Sequence, residues 1–172
     1  MDGRGRSLSP EAEKWLVGRI EALRESVQAR QAMVFSGSGH LVAQAGEVDE
    51  ARAPVLGSLL AGILAASYEV ARQLEEEPSF SVFFHEGDHL ELFSAPIDED
   101  ALLFLIRHRG GAAPRVGAVW LALKRAVHEI RAFFTALEVA GREKQGKGSR
   151  AERQRALLTY KEAKTLGLIR DS

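Results

Sequence analysis

Cysteine is absent from the 172 residues, which excludes disulfides, thiol catalysis and cysteine-ligated metals and suits a cytosolic protein. Net charge is also scarce. With 23 Lys/Arg against 24 Asp/Glu the balance is −1, which promises no general affinity for nucleic acid or for lipid. Long apolar runs are limited to one, Ala53 to Tyr68 (APVLGSLLAGILAASY). As a helix it reaches roughly 24 Å, short of the roughly 30 Å of bilayer hydrocarbon, so it is expected as a buried helix and not a membrane span. The opening residues, MDGRGRSLSPEAEKW, hold no apolar core of the signal-peptide kind, and the expected location is the cytoplasm.

What is present is an ordinary globular composition, 45% hydrophobic, enough for one compact domain with tails. The near-neutral total hides a split. From Gly141 to Ser172 there are nine Lys/Arg against four Asp/Glu, a tail of +5, while the first 140 residues, with 14 against 20, carry −6. The expected organisation is a disordered start at 1–8, a folded domain at 9–138, a flexible linker at 139–149 and a basic helical tail at 150–172.

Three short motifs invite catalytic or nucleotide-binding readings. His85-Glu86-Gly87-Asp88-His89 matches the zinc-protease pattern H-E-x-x-H, whose histidines must lie one helical turn apart to share a metal. Its flanks contradict a helix. Phe80, Val82 and Phe84, then Leu90 and Leu92, recur at every second residue, the strand period. Glu86-Gly87-Asp88 is therefore a hairpin turn with a histidine on the strand at either side, and neither a catalytic nor a metal site is assigned. Ser36-Gly37-Ser38-Gly39 contains G-x-G, but no helix follows to offer its N-terminus to a phosphate, and it reads as a turn between strands. Gly141, Gly146 and Lys147 fit the phosphate-loop spacing, but Gly148 stands where a hydroxyl is needed and the stretch leaves a helix instead of a strand. No cofactor is implied.

Along the chain, Ser9 and Pro10 cap a first helix with an apolar stripe at Leu16, Ile20, Leu23 and Val27, to about Ala29. Gln31–Phe35 and His40–Ala45 are strands. Pro54 opens a long second helix that runs to about Glu76. After the third and fourth strands, Pro96 to Asp100 turns the chain. Ala101 to Ile106 (ALLFLI) is an unbroken apolar run of the kind found in a central strand. Pro114 opens a last long helix in which Val116, Trp120, Leu123, Val127, Ile130, Phe134 and Leu137 repeat every three or four residues. Such a stripe either covers a sheet or forms a coiled-coil seam. The order fits a five-stranded antiparallel sheet with one long helix on one face and two on the other, plus a C-terminal helical extension.

Met33-Val-Phe-Ser-Gly-Ser-Gly-His-Leu-Val-Ala-Gln-Ala-Gly46 is similar to the opening hairpin of the Roadblock, or dynein light-chain-like, family. Ser58 to Ala66 (SLLAGILAA) resembles its small-residue second helix, and Arg115-Val-Gly117 the start of its last helix. Phe84-His-Glu-Gly87 resembles a strand junction of the family's bacterial polarity regulators, the MglB and MglC types. The resemblance covers about 9–138 and gives the tail no role.

It implies a Roadblock/longin-like fold and a dimer, homo- or heteromeric, in which second helices pack together and third strands join into one sheet. The residues favour part of this independently. The second helix is apolar nearly all round, and a helix covering one sheet needs a single stripe. The expected interface is Leu56, Leu59, Leu60, Ala61, Gly62, Ile63, Leu64 and Ala66, with Ser81 and Phe83 from the third strand. The competing arrangement folds the C-terminal helix back over that face.

The resemblance further implies a non-catalytic platform for a Ras-like small GTPase in polarity or motility, either accelerating hydrolysis or only scaffolding. Arg72, Arg107, Arg109 and Arg115 lie near element ends and read as solvated charges, so no arginine finger is assigned. The alternative is an adaptor that binds other Roadblock or signalling proteins without touching a GTPase. Lys144, Lys147, Arg150, Arg153 and Arg155 are the candidate partner-binding residues of the tail, whose other reading is a merely solubilising end.

Overall fold

The computed structural model describes residues 8–47, 51–74, 83–110 and 114–144. Helix α1 spans Pro10–Ser26. Ser9 caps it, its hydroxyl accepting from the Ala12 amide at 3.3 Å, and Glu11 and Glu13 in the first turn oppose Arg24 in the last, in the sense the helix dipole favours. Ala12, Leu16, Ile20 and Leu23 form the buried stripe. The helix ends short of Ala29 because Gln28 adopts a left-handed φ of 53°.

Strands β1 (Gln31–Ser36), β2 (Leu41–Gly46), β3 (Phe83–Glu86), β4 (Leu90–Asp98) and β5 (Ala101–His108) form one sheet in the order β2-β1-β5-β4-β3. All its pairings are antiparallel. The apolar run of β5 therefore occupies the centre, as its pattern predicts. Two turns differ from the sequence reading. The Gly87 amide donates to the Leu90 carbonyl at 2.9 Å, so Asp88 and His89 form the β3–β4 tip, and His89 stands in the turn and not on a strand. Pro96 and Ile97 do not turn the chain but continue β4 through an irregularity between Pro96 and Asp98, the kind of site where a strand tolerates proline. Glu99 and Asp100 make that turn, with the Asp98 carboxylate accepting from the Asp100 amide at 2.8 Å.

Alternation divides the sheet into two faces. Met33, Phe35, Leu102 and Phe104 build one core with Leu60 of helix α2 (Ala53–Gln73), flanked by Leu56, Ile63, Leu64, Leu92 and Ile106. Ala32, Val34, Phe93, Ala95, Leu103 and Leu105 are buried on the other face, which α1 and the first part of α3 (Val116–Lys144) cover. Helix α3 starts at Val116, two residues after Pro114, with the Arg115 carbonyl accepting its first amides. Its buried stripe there is Val119, Leu123, Ala126 and Val127, while Val116 and Trp120 are each 39% exposed. A strict 4-3 spacing drifts against a 3.6-residue turn, so a seam read backward from Leu123 lands one residue off.

By internal contacts the chain divides into two compact units, 1–127 and 128–172. In the second, α3 continues to Lys144, past the linker boundary expected at 139. Ile130 and Phe134 are buried there, and the Thr135 hydroxyl donates to the Arg131 carbonyl at 2.9 Å.

Candidate interaction surface

The outer face of α2 follows from how the helix is seated. Gly57 lies backbone to backbone against Gly39 of the β1–β2 turn: a Cβ built on Gly57 would stand 2.0 Å from the Gly39 carbonyl oxygen. Gly39 itself has φ of 84°, a conformation that favours glycine. With Gly57 inward, Leu56, Leu60, Ile63 and Leu64 turn to the sheet. The opposite side is left with Val55, Leu59, Gly62, Ala66 and Val70, spaced four, three, four and four.

That row is open. Val55 is 61% exposed, Leu59 60% and Val70 58%, and the Gly62 Cα faces empty space. The expectation of a buried helix is thus corrected, since only 17% of the segment Ala53–Val70 is buried. The sixteen-residue length estimate is also too short: Ala53–Val70, with mean hydropathy 1.5, passes by length and composition alone as long enough to cross a membrane. The single charge inside it is Glu69, whose carboxyl is held below its ordinary range by hydrogen bonds from Arg72 and Gln73.

β3 adds a second element to the same side. It is an edge strand, and Phe83, 40% exposed, pairs in register with Ser94 while His85 pairs with Leu92. Both therefore lie on the α2 face. Phe84 points the other way, its ring centroid 4.8 Å from that of Phe93.

The sequence-predicted interface residues separate accordingly. Leu59, Gly62, Ala66 and Phe83 are exposed, and Leu56, Ala61, Ile63 and Leu64 are half-buried. Leu60, 6% exposed, belongs to the core and presents no side chain to a partner. Ser81 lies outside the described residues, as do Lys147, Arg150, Arg153 and Arg155 of the tail; Lys144 is the last residue of α3. Val55 and Val70 were missed, although they extend the Leu59–Gly62–Ala66 spacing in both directions.

The other candidate motifs resolve by placement. His85 is on β3 and His89 in the turn, while the Glu86 carboxylate pairs with Arg109 at 2.6 Å, so H-E-x-x-H has no helix to bring its histidines together. Among the described residues no three His, Asp or Glu side chains converge as a metal site. Arg107, read as a solvated charge, is 4% exposed and ion-paired with Glu91.

A family model of the Roadblock/LC7 domain matches residues 19–107, just over half of the chain. The chain belongs to the Roadblock/LC7 family. Among solved structures, Myxococcus xanthus MglB is similar at 24% identity with a TM-score of 0.68, covering 77% of this chain and 96% of its own, which shows the shared fold. The gliding protein MglB from Thermus thermophilus is 26% identical with a TM-score of 0.65, over 73% of this chain and 93% of its own. An MglB with a tetrameric arrangement gives 26% and 0.65 over 73% and 92%. Among curated protein sequences there is no match. Among the described residues, the outer side of α2 and the edge strand β3 present exposed apolar side chains on the same side of the sheet.

Proposed function

We propose that this Roadblock chain is a homodimer that regulates or scaffolds a Ras-like small GTPase without an active site of its own. The observation that carries the reading is the exposed apolar row Val55, Leu59, Gly62, Ala66, Val70 on α2. A contiguous apolar surface of that length marks an interaction site on a soluble domain. Gly62 and Ala66 in its middle permit a partner helix to approach closely. An edge strand on the same side offers main-chain groups to a second copy, and a two-fold axis between them satisfies both elements at once. The tetrameric arrangement of one MglB supports self-association, and the likeness to the gliding protein MglB supports a role in polarity or motility. The GTPase partner follows from the Roadblock resemblance.

In this reading the basic tail, with Lys147, Arg150, Arg153 and Arg155, adds long-range attraction to an acidic partner. The experiment is a pull-down with small GTPases of the same organism loaded with GDP or a GTP analogue, using the full chain and a chain ending at Lys144. Retention that depends on the nucleotide supports the regulator. Retention of other Roadblock proteins and of no GTPase favours the adaptor. A tail that contributes through charge makes the full chain the stronger binder at about 50 mM salt and not at about 300 mM.

A further inference from the structure

We propose that the two copies of His85 meet beneath the α2 helices of the dimer, so that protonating them drives the copies apart. The inference rests on the homodimer reading and on what a two-fold axis requires of β3, an edge strand of four residues.

Pro54 and Ser58 line a cleft against Leu41 of β2. The row that begins with Val55 and Leu59 falls on the other flank of α2, turned toward the β4–β3 side of the sheet. A second α2 that covers this row while its β3 extends the same sheet is related by an axis perpendicular to the sheet. Under such an axis paired residues point to the same face, so the two positions of each pair differ by an even number. Pairing all four residues, Phe83 with Glu86 and Phe84 with His85, violates this. Engaging three of them leaves two registers. In one, Phe84 meets its own copy and His85 meets Phe83; in the other, His85 meets its own copy. The two His85 side chains are therefore either diagonal neighbours, about 7–8 Å apart, or directly opposite, at about 4.5–5.5 Å.

His85 is exposed in the single chain. In the dimer it lies under two copies of the apolar row, with Leu92 and then Ile106 as its neighbours across the sheet. The charged groups around it do little for an imidazolium. Glu86 and Glu91 point to the opposite face, where they pair with Arg109 and Arg107. Glu69 of α2 is bonded to Arg72 and Gln73, and Arg52, just before that helix, is a cation. Asp88 and His89 stand in the β3–β4 turn. His108, opposite Leu90 on β5, shares the α2 face two strands away and adds a second positive charge when protonated. Burial beside a like charge disfavours the imidazolium, and exposed histidine takes up its proton near pH 6.5. A dimer that holds His85 neutral is thus unaffected above that value and weakens as pH falls below it.

The test measures the dimer dissociation constant of the full chain by sedimentation near pH 7.5 and near pH 5.5, with circular dichroism to verify an intact fold. The constant is expected to rise by about tenfold or more at the lower value, up to about 100-fold if both groups stay neutral in the dimer. His85→Gln should dimerise nearly equally at both, while His89→Gln and His108→Gln keep most of the native response. A full response in His85→Gln overturns the proposal, as does a native dimer equally tight at both values, and either result leaves the homodimer standing. A chain that is monomeric near pH 7.5 removes the homodimer and this proposal together. Because the chain has no cysteine, the geometry has its own check. Oxidation of His85→Cys, or of an equal mixture of His85→Cys and Phe83→Cys chains, should give a disulfide-linked dimer. A dimer that persists with no link in either sample places His85 away from the axis and overturns the proposal.

Discussion

Arg107 on β5 and Glu91 on β4 are register partners whose side chains form an ion pair while only 5% and 9% exposed. The same guanidinium donates to the Pro114 carbonyl at 2.6 Å and lies 5.4 Å from the centre of the Phe93 ring. It thereby ties the centre of the sheet to the approach of α3. Removing one charge strands the other in a buried site, so Arg107→Met is expected to cost about 3–5 kcal/mol, and Glu91→Leu combined with Arg107→Met should recover much of it. Urea unfolding of the cycle measures this. A double variant as unstable as Arg107→Met would show that the Pro114 contact, not the ion pair, is what matters.

Gly57 and Gly18 separate close approach from mere conformational freedom. Both sit inside helices, where alanine is favoured by about 1 kcal/mol. A Cβ at Gly18 meets nothing within 4 Å, whereas one at Gly57 would meet the Gly39 oxygen at 2.0 Å and Phe35 Cδ1 at 2.8 Å. Gly18→Ala should therefore stabilise, by about 0.5–1 kcal/mol, and Gly57→Ala should destabilise by about 1–3 kcal/mol as the helix is forced off the turn. Thermal unfolding of both variants decides the matter, and a Gly57→Ala protein as stable as the parent would mean the contact relaxes freely.

These two contacts also show why the fold was legible while its surface was less so. Period and breakers located each described helix and strand, because alternation in β4 and the apolar run of β5 are local patterns, while the helix expected at 150–172 lies outside the described residues. The seating of α2 is not local: Leu60 and Leu59 are neighbours of the same type, and only the Gly39–Gly57 contact decides which faces the sheet. The same holds for Arg107, a charge at a strand end whose burial depends on Glu91 sixteen residues away. Pro96 misled because proline usually ends a strand, and a local irregularity absorbs it.

The pH response of α1 follows from Arg24. Its guanidinium bonds Glu21 at 2.9 and 2.5 Å, and this hydrogen bonding is the main reason the Glu21 carboxyl is held below its ordinary range. With the folded value below the unfolded one, near 4.3, the contribution to stability is present above that pH and fades as pH falls through the folded value. In Arg24→Gln the Glu21 side-chain carbon should titrate closer to the ordinary range by NMR. An unmoved titration would mean that Arg24 is not the cause.

Gly62 gives the sharpest access to the proposed interface. A Cβ there meets nothing within 4 Å of its own chain, so Gly62→Leu leaves the single chain unstrained and, by helix propensity, slightly more stable. If a second α2 packs on Val55, Leu59, Gly62 and Ala66, the added side chain pushes the two axes apart at their closest point. The native chain should then scatter light as about twice 18.8 kDa, and the variant as a single chain with unchanged helical circular dichroism. Leu59→Glu provides the second reading, since it places a charge in the same seam without adding bulk at the closest point. A dimer that survives both substitutions places the interface elsewhere. A native chain that scatters as one copy at micromolar concentration removes the dimer altogether and leaves the exposed row of α2 to a different partner.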